Sequence, residues 1–133
     1  MIVADSDVLI DALRGRSPVA ERIDLELQAG SLVTTAITAF ELRSGARSAR
    51  ATAQVETLLA ALPILPLDEE AAEKAGGVRL DLETAGTPIG MAAYLIAGIC
   101  LARSAVLLTR NRGHFERVSG LTLGTWPGGG NAS

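Results

Sequence analysis

The chain has 133 residues, 48% apolar and only 3% aromatic, and carries a formal net charge of −3. That length suits one domain with a core of its own, and the apolar share excludes general disorder. The acidic balance and the scarcity of rings exclude a dedicated nucleic-acid binder built on a broadly basic face or on stacked aromatics. Every basic residue except Lys74 is arginine, whose planar fork suits phosphate, although a GC-rich genome would leave the same bias. The one cysteine, Cys100, forms no internal disulfide, and no basic-then-apolar leader opens the chain, so the cytoplasm is the expected compartment. Residues 87–102 are uncharged but fall short of the roughly 20 that a membrane span needs. They read as a buried helix, and no membrane partner is expected.

In chain order, Ile2 and Val3 form a β-branched run suited to a buried strand, and Asp5 and Asp7 follow it around Ser6. The crevice beyond the carboxyl ends of strands is where α/β sheets bind ligands, so an acid pair there points to chemistry. Two carboxylates about 4 Å apart repel by about 4 kcal/mol at a surface-like dielectric, and a hard cation such as Mg²⁺ or Mn²⁺ would relieve them. The plainer reading is that one of them only caps the next helix, predicted over residues 8–13. Ser17 before Pro18 predicts an N-cap and a first helical residue, with a helix to about Gln28 that Gly30 closes. Residues 31–35 read as a second strand, and Thr38-Ala-Phe-Glu41 directly after it matches a capping box. Glu41 thus either serves the helix end or points into the same crevice as Asp5. Arg43, Arg47 and Arg50 share a face if that helix continues, either solvated or in contact with phosphate.

Residues 51–62 continue helical until Pro63, and Ile64 and Leu65 suit a third short strand. Asp68, Glu69 and Glu70 open a helix to about Thr84 that Gly86 ends, with Gly76 and Gly77 weakening its middle by about 1 kcal/mol each. Residues 91–103 are apolar nearly all round, the mark of a central helix. Residues 105–109 form a convincing buried strand that runs into Arg110-Asn111-Arg112-Gly113-His114-Phe115. Residues 121–125 close the sheet, and the stretch from Trp126 to the end reads as a frayed tail. The alternation gives an α/β fold, a central mostly parallel sheet with helices on both faces, as one domain over 1–126 followed by a flexible tail over 127–133. His114 has no Cys or His at zinc spacing and reads as a structural hydrogen-bonding residue, and Cys100 as a small core residue.

Four pieces then act together: Asp5-Ser-Asp-Val-Leu-Ile-Asp11, Thr34-Thr-Ala-Ile-Thr-Ala-Phe-Glu41-Leu, Ile89-Gly-Met-Ala-Ala-Tyr-Leu-Ile-Ala97 and Leu107-Leu-Thr-Arg-Asn111-Arg-Gly-His-Phe115. In order and spacing, from Ile2 to about Trp126, the chain resembles the PIN-domain ribonucleases, and specifically the VapC toxins of bacterial VapBC toxin–antitoxin pairs. The resemblance implies a PIN-like three-layer sandwich with Mg²⁺ or Mn²⁺ as cofactor. Asp5 and Glu41 would be metal-ligating acids, with Asp7 close by and Asn111 in the fourth acidic position. It further implies hydrolysis of an RNA phosphodiester to leave a 5′-phosphate, with rim arginines such as Arg14, Arg43, Arg110 and Arg112 on the RNA backbone. A VapB-type antitoxin whose segment fills the crevice, and a homodimer, are the partners it implies.

One position departs from that pattern. The resemblance calls for Asp at position 93, and the chain has Ala93. A carboxylate in the first turns of a buried helix gains from the helix dipole and can ligate a metal or orient its water, whereas alanine only favours the helix. A correctly folded protein with impaired metal binding and little or no cleavage is therefore expected. A change made to silence a growth-arresting nuclease and natural degeneration both leave this signature, and the intact surrounding motifs favour the first. Two rival readings stand beside the nuclease. Asp5-x-Asp7 is similar to the nucleophile motif of haloacid-dehalogenase-type phosphatases, but those need a later lysine, and Lys74 lies inside a predicted helix. A non-catalytic module that binds RNA or an antitoxin is the other, and Ala93 favours it.

Overall fold

Five short strands run parallel: β1 (Ile2–Ala4), β2 (Leu32–Thr35), β3 (Ile64–Leu65), β4 (Val106–Leu108) and β5 (Thr122–Leu123), in the order β3-β2-β1-β4-β5. The computed structural model describes residues 1–126, and the tail predicted over 127–133 lies outside them. Parallel neighbours require crossovers, which here are helical: α1 (Ser6–Leu13), α2 (Val19–Gln28), α3 (Ala36–Gly45), α4 (Ala49–Ala60), α5 (Glu69–Thr84), α6 (Met91–Arg103) and the short α7 (Arg112–Phe115). The sheet is wholly parallel, where a mostly parallel one was predicted.

Strand periodicity divides the core in two. Val3, Val33 and Leu107 face α5 and α6, while Ala4, Leu32 and Leu108 face α1 to α4. Both faces of the sheet are covered, which is why its strands read as unbroken aliphatic runs and not as alternation. The result is the three-layer α/β sandwich. On the α5–α6 side the two helices approach through Gly98, where an added Cβ would come within 2.5 Å of both the Ala71 carbonyl oxygen and the Ala75 Cβ. Gly76 and Gly77, in contrast, face open space on an unbroken helix.

Several local predictions need correction. Helix α1 starts at Ser6, two residues earlier than predicted, because Asp5 caps it by accepting the Ser6 N–H at 2.8 Å. Ser17 caps nothing, since its hydroxyl donates to Glu21 at 2.6 Å and α2 begins only at Val19. The Thr38/Glu41 capping box does not form. Thr35, the last residue of β2, accepts the Thr38 N–H at 3.0 Å, so the helix begins earlier and Glu41 is already in its second turn. The arginine face is broken as well. α3 ends at Gly45 and α4 starts afresh behind a Ser48 cap, leaving Arg47 in the connection while Arg43 binds Glu56 at 2.8 and 3.0 Å. Trp126 is not frayed: it is buried with the α1–α4 side of the core. Among the described residues no helix is long and apolar enough to cross a membrane.

The two kinds of helical glycine should respond oppositely to alanine in urea unfolding. Gly98→Ala is expected to lower stability by at least about 2 kcal/mol, because its methyl meets backbone that cannot yield. Gly76→Ala should raise stability by about 0.5–1 kcal/mol through helix propensity.

Candidate active site

The carboxyl ends of β1, β2 and β4 meet at one edge of the sheet, and the residue after each strand or its cap carries a polar side chain. The Asp5 N–H donates to the Leu108 carbonyl at 3.0 Å, holding the ends of β1 and β4 level. Thr34 Oγ1 donates to the Ala4 carbonyl at 2.8 Å and holds β2 to the other side of β1. Asp5, Asp7, Glu41, Ala93, Asn111 and His114 consequently line one open cleft, whose outer wall is the 89–96 stretch at the start of α6. Gly90 precedes that helix with a φ of 98°, a conformation that only glycine adopts without strain, and Tyr94 Oη accepts the Ile89 N–H at 3.2 Å to fix the turn.

The loop after β4 supplies the hydrogen bonds of the site. Thr109, fully buried, donates through Oγ1 to Asp5 Oδ2 at 2.8 Å, with Asp7 Oδ2 farther off at 3.4 Å, and accepts the Asn111 N–H at 3.0 Å. The Arg110 N–H donates to Asp7 Oδ2 at 3.0 Å, while Asp7 Oδ1 is buried with no hydrogen-bond partner. Asn111 Nδ2 donates to His114 Nδ1 at 3.0 Å, which places the neutral imidazole proton on Nε2.

Burial is the main cause of the electrostatics here. It raises the Asp5 carboxyl above its ordinary value, with Glu41 adding to the rise and the Thr109 and Ser6 hydrogen bonds opposing it. Burial and then the Asp5 charge push Asp7 up to about 6, against the Arg110 N–H. Glu41 is raised by burial and by Asp7, with Ser6 opposing. Three acids that disfavour one another's ionisation are an arrangement that a cation stabilises. Cys100 is buried and pushed up to about 12, chiefly by burial, and is a core residue as expected.

The structure thus brings Asp5, Asp7, Glu41, Ala93 and Asn111 to one cleft. The four arginines fare differently. Arg14 lines a recess between α1, α3 and α4 that Glu41 also lines. Arg43 is engaged by Glu56, Arg110 binds Asp11 at 2.6 Å, and Arg112 donates to the Gly124 carbonyl at 2.6 Å. Sequence reasoning missed Thr109 and Asp11. The signal for Thr109 was a lone hydroxyl closing an aliphatic strand at the same sheet edge as Asp5. Asp11 closes the first motif piece one helical turn after Asp7, but nothing local to it named Arg110 as its partner.

The PIN-domain family profile matches residues 2–121. The tRNA(fMet)-specific endonuclease VapC of Salmonella typhimurium is 31% identical over 126 residues, 92% of this chain and 95% of that protein. Ribonuclease VapC10 of Mycobacterium tuberculosis is 33% identical over 115 residues, 86% of each. The solved structure of DNA-bound VapBC from Salmonella typhimurium matches with a TM-score of 0.83 at 30% identity, covering 92% of this chain and 96% of that one. The chain belongs to the PIN-domain family, and the relatives it groups with there are VapC ribonucleases.

Two measurements test this account of the site. Thr109→Val keeps the shape but removes the donor to Asp5 and the acceptor of Asn111, and should destabilise by about 1–3 kcal/mol in urea unfolding. Raised carboxyls also set a pH dependence. The contribution of Asp7 is complete below its unfolded value of 3.8 and is lost as pH rises through about 6. In divalent-free buffer the urea midpoint should therefore fall across that window, and fall less in Asp7→Asn.

Proposed function

We propose that the chain is the toxin of a toxin–antitoxin pair whose active form is a divalent-metal-dependent endoribonuclease, and that Ala93 leaves this form with little or no cleavage. The observation that carries the reading is the convergence of Asp5, Asp7 and Glu41, from two distant segments, on the cleft that Asn111 and position 93 complete. The named activities of the VapC relatives support the ribonuclease, and the VapBC complexes among solved neighbours support a VapB-type antitoxin as partner.

The donor set fits a hard divalent ion in its water-rich mode. Asp7 offers a buried oxygen with no partner, and Asp5 and Glu41 are acceptors raised chiefly by burial, with Glu41 adding to the rise at Asp5 and Asp7 to that at Glu41. Among the described residues no three His, Cys, Asp or Glu side chains lie close enough to cage an ion by themselves. Mg²⁺ commonly takes one or two carboxylates and keeps several waters. Asp5, Asp7 and Glu41 would hold it between them, in part through its waters, and bound there it would supply Lewis-acid polarisation of a phosphoryl oxygen and an acidified water. The chain's own contributions are otherwise positional. Asn111 is set by the Thr109 hydroxyl and by His114 to orient water at the cleft, and Arg14 offers RNA phosphate a contact beside Glu41. Ala93 stands on the cleft wall at the amino end of α6, where a carboxylate would gain from the dipole. The same alanine favours a second reading, a module that binds RNA or antitoxin without cutting.

Ala93→Asp should restore Mg²⁺- or Mn²⁺-dependent RNA cleavage by at least about 100-fold over the parent, assayed without antitoxin. Absence of cleavage by the Asp form with any divalent ion would remove the nuclease reading, and RNA binding without cleavage in both forms would leave the binding module.

A further inference from the structure

We propose that Asp11 and Arg110 are positioning residues that clamp the loop after β4 onto α1 and thereby hold the acid pair, and that Arg110 does not contact RNA phosphate. This deepens the nuclease reading above and rests on it. Asp7 and Asp11 are four residues apart on α1 and so share one face of that helix. Arg110 engages both. Its backbone N–H donates to Asp7 Oδ2 at 3.0 Å, and its guanidinium donates to Asp11 Oδ2 at 2.6 Å. One residue therefore touches two carboxylates a helical turn apart, which fixes both the distance of the loop from α1 and its rotation. The residues on either side inherit that placement: Thr109 reaches Asp5 Oδ2, and the Asn111 N–H returns to Thr109 Oγ1.

Burial explains why the guanidinium is committed. Asp11 is only 3% exposed, and its second oxygen has no hydrogen bond, only the Arg16 guanidinium at 3.6 Å. A carboxylate removed from water to that degree needs its cation, and stripping the partner away is strongly destabilising. Arg110 itself is half exposed, but its Nη1 is held by that carboxylate, so an RNA phosphate reaching it would compete for the cation of a desolvated charge. Arg14, which lines the neighbouring recess, is under no such demand.

The experiment replaces both charges at once. Asp11→Asn with Arg110→Gln leaves no lone buried ion, while Arg110→Gln alone risks unfolding. On the full chain, amide hydrogen exchange followed by NMR should show the Arg110 and Asn111 N–H groups exchanging at least about tenfold faster in the double variant, with core amides of β1 and β4 unchanged. Mn²⁺ affinity, followed by electron paramagnetic resonance, should fall about 10-fold or more, as for outer-shell partners of metal sites. RNA affinity should keep the same salt dependence. Unchanged exchange at Arg110 overturns the clamp whatever the metal does. A salt slope reduced by about one phosphate contact, with Mn²⁺ affinity unchanged, overturns it in favour of an RNA contact. If neither the parent nor Ala93→Asp binds Mn²⁺, the metal-site reading fails while the exchange result still decides the clamp.

Discussion

A carboxylate placed at the end of a buried parallel strand must be compensated, and the molecule is arranged around how Asp5 is compensated. Asp5 is nearly buried, ends β1 and caps α1, so it has no freedom to turn towards water. Its two oxygens are met by the Ser6 N–H and the Thr109 hydroxyl, one from its own helix and one from the far end of the chain. The second of these exists only because β1 and β4 are neighbours in parallel register, with Ala4 opposite Leu108. The central pairing of the sheet and the geometry of the site are therefore one constraint. Even so the compensation is partial, since Asp5, Asp7 and Glu41 all remain raised by burial and by one another.

The opposite wall of the cleft is built by packing. α6 is apolar on nearly every side and is pinned to α5 at Gly98, where no larger residue fits. That contact sets the depth of the helix, and the Gly90 turn with its Tyr94 hydrogen bond sets where its amino end emerges. Position 93 faces the cleft because both ends of the approach are fixed. Alanine there suits the helix, and under the proposed function it withholds a carboxylate from this wall of the cleft, so stability and chemistry would part company at one residue.

Arginine illustrates how composition can mislead about function. An arginine-rich chain with an acidic pocket invites the idea of a basic rim, yet Arg43, Arg110 and Arg112 are each engaged by a protein acceptor. Arg14 is the one placed beside Glu41 in a recess open to a ligand. A net charge of −3 gives the chain no broad basic footprint, so contact with RNA would have to depend on local geometry.

Most of the architecture was legible in the residue order. Aliphatic runs at 2–3, 31–35, 64–65 and 105–109 marked strands, glycines and prolines marked the ends of helices, and the alternation implied a parallel sheet covered on both faces. The acids Asp5 and Glu41 and the alanine at 93 were legible too, because the motif spacing carries them. What could not be read locally was which of several chemically adequate partners each polar side chain would take. Ser17 and Thr38 have the right chemistry to cap, but Glu21 took the first and Thr35 displaced the second. The bonds of Asp5 to Thr109 and of Asp11 to Arg110 span about a hundred residues of chain, and a hydrogen bond at that separation is selected by strand order and helix depth, which only the packed sheet determines.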